Sequence, residues 1–475
     1  MKPTLTRRQL GAGLASAALA RPASTPRPNI LLVLSDDHSY PHLGCYGDPV
    51  LRTPNLDRFA REGMRFDRAF TSAPNCVPSR VSMLTGRSPA AARVARFNSP
   101  LPPDVTCLSE WLRPHGYYSG ICRRTFHLDG TPPGPITRQI MENHGMITFD
   151  RRVDYLDRDS PRSETKNKLR EFFDRRPKDR PFFLWVNFHD PHYPWDRNAI
   201  PKPHDPASIP VPKYLPDLPS VREALARHYD EIARMDEEFQ WVLDALSQRG
   251  LAENTIVVFM GDNGLAFPSG KGSLHDPGLH VPLLIRWPGF VKPGSSTEEL
   301  ISGEDISVTL AAAAGAYPPK EVTGRNFLQL LRGERYEGQK YIFAERGQHG
   351  ARATFREDTL ANAWDLSRCV RSQRFKLIYN CTPWMRYAPV NSENEPYWAD
   401  MVKAHRNDTL ADGFERTYFQ HPRPVFEFYD LEKDPAELDN VAGRSEYAVS
   451  QKELTLALVE RMIVNYDFLP LPEIV

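Results

Sequence analysis

Cysteine is scarce in this 475-residue sequence, and its six cysteines are widely scattered. A disulfide-stabilised scaffold needs more closely grouped cysteines, and a structural zinc site needs a CxxC or Cys/His spacing that the sequence lacks. Both classes are therefore excluded, although the count leaves open whether individual pairs are bonded. The cysteines are Cys45, Cys76, Cys107, Cys122, Cys369 and Cys381.

An excess of one charge is also lacking, because 60 Lys and Arg residues balance 60 Asp and Glu residues. Neither a polybasic nucleic-acid binder nor an acidic tail has this composition, so we expect no nucleic-acid partner. Any anion-binding site must therefore be local. Beyond the N-terminus no apolar run is long enough for a membrane helix, and we expect no stable membrane insertion.

The N-terminus differs from the rest of the sequence. Arg7 and Arg8 precede a short run of small apolar residues over 10–20, whose last three letters, ALA, fit a cleavage site. Paired arginines before such a run are typical of a twin-arginine export signal of bacteria. We therefore expect 1–25 to be a signal peptide and the protein to be periplasmic or extracellular. The alternative is a tail that is merely basic.

Three continuous apolar runs each end in acids, amides or histidines. They lie in 28–39, 180–192 and 254–264. Runs of this kind are typical of the central strands of a parallel sheet, which are buried on both faces.

Helices are predicted between these strands. One covers 52–66 with Thr53 as its N-cap, a second begins near Ser79, and a long amphipathic helix covers 221–249. Strands that alternate with helices predict an open α/β sheet whose ligands bind beyond the carboxyl ends of its strands.

The pattern changes after about residue 335. The stretches 368–380 and 425–440 have the character of antiparallel strands. We therefore predict a catalytic domain over 26–335, built on a large, mixed, mostly parallel sheet flanked by helices. A smaller C-terminal domain over 336–475 would contain an antiparallel sheet.

Acids and an amide stand at two of the predicted strand ends. Asp36 and Asp37 follow the first run, and Asp262 and Asn263 follow the third. Three carboxylates and an amide oxygen are ligands that Ca²⁺ or Mg²⁺ prefers, whereas zinc usually takes histidine or cysteine. Either pair taken alone is equally typical of a turn or a helix cap. Together they predict a metal site.

Cys76 stands in the stretch TSAPNCVPSRVSMLTGR, residues 71–87. A thiolate nucleophile needs a base or a cation that lowers its pKa, whereas a core thiol needs neither Pro78 nor Arg80 beside it. Spacing alone leaves a buried, a disulfide-bonded and a reactive cysteine open.

The pattern Cys-x-Pro-Ser-Arg, followed by VSMLTGR, resembles the signature of type I sulfatases. The stretches NILLVLSDDH, TPNLDRFAREGMRFDRAF, NFHDPH and GDNG fall in the order and spacing of that family. The resemblance extends from about residue 28 to the C-terminal YDLEKDPAELDN. It implies an alkaline-phosphatase-like sulfatase fold. It also implies that a formylglycine-generating enzyme oxidises Cys76 to Cα-formylglycine, whose hydrate is the nucleophile.

The resemblance implies a ligand set for the metal. Asp36, Asp37, Asp262 and Asn263, together with the modified Cys76, would bind Ca²⁺, with Mg²⁺ as the alternative ion.

It also implies roles for five catalytic residues. Arg80 would hold the formylglycine hydrate, and Arg124 stands where the family has lysine, so that a planar cation replaces a point charge. Lys271 would contact the sulfate, and His192 would protonate the leaving oxygen or nitrogen. His127 would take a proton from the hydrate so that the aldehyde forms again.

Among sulfatases, RPFFLWVNFHDPH and GDNGLAFPSGKGSLHDPG are most similar to the N-sulfoglucosamine sulfohydrolase branch, the heparan N-sulfatases. This similarity implies a substrate in heparin or heparan sulfate. His280 replaces an arginine of the family. Residues that would contact the sugar are His189, Asn98, Arg346, His349 and His280.

Three other functions remain open at the level of the sequence. One is an O-sulfatase for another sulfated polysaccharide. Another is a phosphonate or phosphodiester hydrolase of the same superfamily that also carries formylglycine. A binding protein with an inactive site is the third, and the presence of every charged role argues against it.

Overall fold

A computed structural model describes residues 27–94, 100–129, 135–144, 146, 149–349 and 365–473. The predicted signal peptide and Asn98 lie outside these residues. The strands are β1 Asn29–Ser35, β2 Met64–Phe66, β3 Ala69–Phe70, β4 Tyr118–Cys122, β5 Tyr155–Asp157, β6 Phe182–Asn187, β7 Thr255–Gly261, β8 Leu283–Arg286, β9 Ser295–Thr297, β10 Ile301–Ser302, β11 Ile342–Arg346, β12 Ser367–Arg371, β13 Phe375–Asn380 and β14 Phe426–Asp430.

Helices connect most of these strands. They are α1 Pro54–Glu62, α2 Cys76–Thr85, α3 Leu108–Leu112, α4 Phe126–Asp129, α5 Pro135–Asn143, α6 Thr165–Arg175, α7 Pro219–Ser247, α8 Asp276–Leu279, α9 Asp305–Ala313, α10 Leu328–Leu331, α11 Pro396–Arg406, α12 Asp412–Phe414 and α13 Ala448–Val464.

The central sheet has eight strands in the order β5-β4-β6-β1-β7-β8-β2-β9. Strand β1 lies in the middle and pairs in parallel with both β6 and β7. Strand β8 is antiparallel to both of its neighbours. The sheet is therefore mixed and mostly parallel, and its parallel central strands β1, β6 and β7 are those that the apolar runs predict.

Both faces of the central sheet are buried, which explains the uninterrupted apolar sequence of its strands. Leu31 and Val33 face a core that includes the buried side of α7. Ile30 and Leu32 face a second core on the opposite side, packed by α2 and α9. Side chains that alternate between two cores require apolar residues at every strand position.

Helix α1 is shorter than the predicted helix, because 64–66 form strand β2. Thr53 is the N-cap residue, but its side chain donates to the Asp57 carboxylate instead of capping the helix. The cap comes from α7, where the Asp236 carboxylate accepts the backbone N–H groups of Asn55 and Leu56 at 3.1 and 2.7 Å. A residue 180 positions away thus satisfies donors that local sequence leaves open.

Helix α2 begins at Cys76 and not near Ser79. All ten of its residues are buried, including Arg80 and Ser82. Such a helix cannot be recognised by an amphipathic pattern, because it has no solvent-facing side. Its N-terminus points the Cys76 side chain at the ends of β1 and β7.

The C-terminal antiparallel sheet has the order β11-β12-β13-β14. The stretch 368–380, predicted to have antiparallel strand character, contains the two antiparallel strands β12 and β13, joined by a tight turn. One face of this sheet packs against α13. The other packs against the catalytic part through a core that joins Ile378 to Phe70 and Leu274.

None of the helices in the described ranges combines the length and the apolar character needed to cross a bilayer.

Candidate active site

The ends of β1 and β7 bring four oxygen-bearing side chains together. The two strands pair in parallel up to Ser35 and Gly261, so the residues that follow them meet. Asp37 donates its backbone N–H to Asp262 Oδ1 at 3.0 Å. Asn263 Nδ2 donates to Asp37 Oδ1 at 2.8 Å. All four side chains, including that of Asp36, are fully buried.

Cys76 lies against this group of acids. Its Sγ is 3.5 Å from Asp36 Oδ1 and 3.9 Å from Asp37 Oδ1. Single ligand atoms of Cys76, His192 and the two acids all lie within 4.8 Å of one another. The thiol is therefore at the site that the sequence predicts, and it is not paired in a disulfide.

Burial raises the pKa of the Cys76 thiol well above its usual value. Lys271 opposes this effect, whereas Asp36 and Asp262 add to it. The unmodified thiol is consequently neutral at physiological pH, which argues against a ready-made thiolate nucleophile.

Arg80 is fully buried and connects three strand ends. Its Nε donates to Asp262 Oδ2 at 2.9 Å, and Nη2 lies 3.1 Å from Asp36 Oδ2. Its Nη1 donates to Asn187 Oδ1 at 2.5 Å. Asn187 ends β6 and also donates to the carbonyls of Cys122 and Arg123.

Sequence reasoning missed Asn187 as a functional residue. The sequence signal that could have identified it is its position as the polar last residue of the buried run FFLWVN. It fixes the plane of the Arg80 guanidinium, which in turn faces Asp36 and Asp262.

Arg124 and His127 approach Asp36 from the loop after β4. An Arg124 Nη2 ion pair with Asp36 Oδ2 places the cation directly on the carboxylate. His127 Nδ1 lies 3.6 Å from the same oxygen. Arg123 and Arg124 both have positive φ angles, 65° and 50°. Two consecutive left-handed residues without glycine are costly, and such strain is typical of functional loops.

Lys271 and His192 approach Asp37 from the other side. Lys271 Nζ lies 2.8 Å from Asp37 Oδ1 and 3.1 Å from His192 Nε2. Although burial acts to lower the pKa of Lys271, Asp37 raises it, so that the ammonium is charged. Burial, followed by the Lys271 charge, lowers the pKa of His192 well below its usual value. His192 is therefore neutral and accepts a hydrogen bond from Lys271.

The acids at the site differ in their pKa values. Burial acts to raise the pKa of Asp36, but Arg124 and Arg80 outweigh it and hold that pKa well below its usual value. Burial and the Asp36 charge raise the pKa of Asp262 to about 7. Such a separation between neighbouring carboxylates is common where a cation or a reacting group is bound.

The residues at these strand ends fit a hard divalent cation. Asn263 Oδ1 is buried and has no hydrogen-bond partner among the described residues. A buried amide oxygen without a partner is costly, and a metal ion would satisfy it. The carboxylates of Asp36, Asp37 and Asp262 supply the negative charge that Ca²⁺ or Mg²⁺ requires.

A cleft of about 550 Å³ opens beside Arg124. His189, whose side chain is 49% exposed, lines it together with Arg124. The His189 ring also contacts that of His192, with 5.6 Å between centroids. The other lining residues are Arg123, Asp159, Ser160, Pro161, Arg162, Asp190, Asp196 and Arg234.

Arg346 and His349 lie on the side of Lys271. Arg346 forms an ion pair with Asp365 at 2.7 Å. Its Nη2 lies close to Gly272, the neighbour of Lys271, since a Cβ atom there would be 3.6 Å away. His349 is buried, and its pKa is lowered by burial and then by the charges of Lys271 and Arg346. Both residues are thus placed near the site.

His280 is stacked between two aromatic rings instead of facing the acids. The centroid of its ring lies 3.9 Å from the ring centroid of Tyr40 and 4.5 Å from that of Phe70. Its Nε2 is 3.0 Å from the Asp67 carbonyl oxygen. These contacts account for its burial without a substrate, and its predicted contact with the sugar stays a prediction.

Known proteins are similar to this chain in sequence and in fold. The family profile described as Sulfatase matches residues 28–316, and that described as N-sulphoglucosamine sulphohydrolase, C-terminal, matches 269–407. An ulvan-active sulfatase of Formosa agariphila is 28% identical over 94% of this chain and 76% of its own length. Human N-sulphoglucosamine sulphohydrolase is 28% identical over 88% of this chain and 87% of its own.

Solved structures with the same fold cover 93% of this chain. One is a structure in complex with its substrate D-glucosamine-2-N,6-O-disulfate, with a TM-score of 0.67, 19% identity and 99% of that chain covered. Another is a phosphonate monoester hydrolase of Agrobacterium radiobacter, with a TM-score of 0.65, 21% identity and 95% covered. The fold is the alkaline-phosphatase-like fold of sulfatases, as the sequence predicts. With more than half of its length matched by the family profile, the chain belongs to the sulfatase family and is a sulfuric ester hydrolase.

Proposed function

We propose that this sulfatase removes the N-sulfo group from N-sulfoglucosamine units of heparin or heparan sulfate. We further propose that it does so through a formylglycine made from Cys76. The observation that carries the proposal is the position of Cys76 Sγ, 3.5 Å from Asp36 Oδ1 among buried strand-end acids and cations.

The location of Cys76 suits a precursor of the nucleophile. A buried thiol with a raised pKa is a poor nucleophile itself. Formylglycine at this position would supply a hydrated aldehyde whose hydroxyl attacks sulfur. Serine could not replace it, because release of sulfate needs a second hydroxyl on the same carbon.

A divalent cation would be held by Asp36, Asp37, Asp262 and Asn263, and when bound it would acidify a hydroxyl and polarise the sulfate. We propose Ca²⁺, with Mg²⁺ as the alternative. Arg80, Arg124 and Lys271 are not proposed as metal ligands. They would place three fixed positive charges beside the substrate.

These three cations suit a tetrahedral anion. Attack on sulfur increases the negative charge on the equatorial oxygens, and fixed cations in a buried site stabilise that charge more strongly than water does. Lys271 and Arg124 lie on opposite sides of the acid pair, on Asp37 and Asp36 respectively. A sulfo group between them would contact both.

His192 is proposed to protonate the leaving nitrogen or oxygen. Its pKa is lowered in the free protein, so it is neutral there. A sulfo group placed against it would bring negative charge and raise that pKa, so that His192 could take up a proton from solvent and pass it to the leaving group. The Lys271 ammonium, 3.1 Å away, would stay charged. His127, neutral because burial and Arg124 lower its pKa, would accept the proton whose loss from the hydrate regenerates the aldehyde.

The choice of N-sulfoglucosamine is supported by two findings. The C-terminal profile that matches 269–407 describes N-sulphoglucosamine sulphohydrolases. The cleft beside Arg124, of about 550 Å³, suits a saccharide, and it is lined by His189, which the sequence resemblance implies as a sugar contact. Arg346, His349, Asn98 and His280 are further proposed contacts.

The test uses defined heparin disaccharides that carry a single N-sulfo, 2-O-sulfo or 6-O-sulfo group, with the desulfated disaccharide as a control. We expect the N-sulfo group alone to be released as sulfate, leaving a free amine. Release of sulfate from the 2-O-sulfo or the 6-O-sulfo disaccharide, with the N-sulfo disaccharide left intact, would overturn the choice of substrate.

Two alternatives are supported by specific relatives. An O-sulfatase for another polysaccharide is supported by the ulvan-active relatives. A phosphonate or phosphodiester hydrolase is supported by the shared fold of phosphonate monoester hydrolases. Rates on an aryl sulfate and on a phosphonate monoester, measured with one preparation, distinguish the second alternative.

We also propose the route by which the protein matures. A formylglycine-generating enzyme would modify Cys76 in the cytoplasm, and the paired Arg7 and Arg8 would then direct export to the periplasm or beyond. Blocking export should leave modified, active enzyme inside the cell. Unmodified enzyme in that cell would contradict this order.

A further inference from the structure

A second cleft, of about 1030 Å³, lies at the amino ends of the central strands. Asn29 opens β1, Pro181 precedes β6 and Asn254 precedes β7, and all three line it. The acids of the active site stand at the opposite ends of the same strands. Strand β1 has seven residues, so about 20 Å separates the cleft from Asp36.

The lining of this cleft is rich in positive charge, in a chain whose net charge is zero. Five lining side chains are basic, and two, Asp179 and Glu253, are acidic. The basic residues are Arg27, Arg176, Lys178, Arg180 and Arg332.

Three of these arginines are held in place by backbone carbonyls. Arg27 Nη1 donates to the His115 carbonyl at 2.7 Å. Arg176 Nη1 donates to the Arg180 carbonyl at 2.6 Å, and Arg180 Nη2 donates to that of Tyr117 at 2.6 Å. Carbonyls orient a guanidinium but do not neutralise it. Among the described residues none of the three arginines forms an ion pair, so their charge is available to an anion.

An aromatic wall adjoins these cations. The rings of Trp287 and Phe290 are stacked with 3.7 Å between centroids, and the Arg332 guanidinium lies 4.9 Å from the Phe290 ring centroid. Both rings are partly exposed. A flat apolar wall next to fixed cations suits a ligand that combines pyranose faces with sulfate groups.

We propose that this basic cleft binds a segment of a sulfated polysaccharide away from the active site. The proposal rests on the proposed function only for the choice of heparin as the polymer. A polymer held here stays near the enzyme, which raises the local concentration of its sulfated units. The cleft thus serves polymeric substrates and has no effect on free disaccharides.

The test compares three variants of the full chain. Lys178→Glu/Arg332→Glu reverses two exposed charges of the cleft, and Lys403→Glu/Lys452→Glu makes the same change at two exposed lysines on α11 and α13. A third variant, Trp287→Ala, removes the aromatic wall. Binding to immobilised heparin is measured as the salt concentration of elution, and turnover is measured on heparin and on the N-sulfo disaccharide.

We expect the cleft variant to elute at clearly lower salt than the control variant, with kcat/KM on heparin reduced about fivefold and that on the disaccharide unchanged within about twofold. Trp287→Ala should weaken heparin binding without changing net charge. Equal elution of the cleft and control variants would overturn the proposal, as would binding of DNA or desulfated heparin as tight as that of heparin. Absent disaccharide turnover in the unmutated enzyme would instead refute the choice of substrate, so the two failures are distinguishable.

Discussion

At the scale of single residues, Arg124 is a residue at which the sequence differs from the pattern that its resemblance to sulfatases implies. The sequence resemblance expects a lysine there, and the arginine pairs directly with Asp36. It also lies 3.4 Å from His127 Nε2, so that it faces a carboxylate and a neutral imidazole at once. Both contacts are made by Nη2, whose two N–H groups can donate to the carboxylate and to the imidazole.

This geometry predicts graded effects at position 124. Arg124→Lys keeps the charge and should lower kcat by no more than about tenfold, whereas Arg124→Ala removes it and should lower kcat by about 100-fold or more. Steady-state kinetics on a defined sulfated disaccharide measure both. The exposed Arg406→Ala on α11 is the control and should be unchanged. Activity above half that of the unmutated enzyme in Arg124→Ala would contradict the assigned role.

At the scale of elements, the C-terminal sheet is tied to the loop that carries Lys271. Asp276 begins α8, a few residues after Lys271, and binds Arg371 Nη2 at 3.0 Å and Lys376 Nζ. Lys376 also binds Glu437 at 2.7 Å. This buried network joins α8 to β12 and β13, and it holds the Lys271 loop against the site.

The network predicts how stability depends on pH. Burial acts to raise the pKa of Asp276, but Arg371 and Lys376 outweigh it and lower that pKa far below its usual value. A lowered pKa contributes stability above the unfolded value of about 4, and this contribution is lost as the pH falls below it.

Asp276→Asn should therefore reduce the free energy of unfolding by about 3 kcal/mol at pH 7, because it leaves buried cations without their partner. Below about pH 4 the difference from the unmutated protein should shrink by about 1 kcal/mol per pH unit. Denaturant titrations at several pH values measure both effects. The exposed Asp174→Asn on α6 should change neither. A difference that stays constant with pH would refute the assigned ion pairs.

At the scale of the whole molecule, the two ends of the parallel central strands have side chains of opposite charge. Acids and an amide cluster at the carboxyl ends of β1 and β7, and cations line the cleft at their amino ends. Parallel strands make this separation possible, because all their like ends lie at one edge.

The same property explains how much could be predicted from sequence. Apolar runs that end in polar residues predict both the buried strands and the meeting of Asp36 with Asp262. The hydrogen bond of Asn187 to Arg80 and the Asp236 cap of α1 could not be predicted, because no sequence pattern links either residue to its partner. The antiparallel strand character of 368–380 could be predicted, whereas the exact limits of β12 and β13 come from the structure.

Removal of divalent cations should affect the whole protein and not only its activity. Three buried carboxylates around one position favour a bound cation, so the metal-loaded protein is more stable than the metal-free one. We expect dialysis against a chelator to abolish most activity and to lower Tm, and added Ca²⁺ to restore both. Asn263→Ala should show a smaller rise in Tm with Ca²⁺. A Tm that does not respond to chelator or Ca²⁺ would contradict a metal site.

Under the proposed mechanism, residue 76 reaches its working form only after its sulfur has been replaced. Trypsin cleaves after Arg68 and Arg80, so the mass of peptide 69–80 reports the chemical state of that residue. In active enzyme from a host with a formylglycine-generating enzyme, we predict a peptide that has lost the sulfur and two hydrogens and gained one oxygen. A fully active preparation in which that peptide retains an intact thiol would contradict the account.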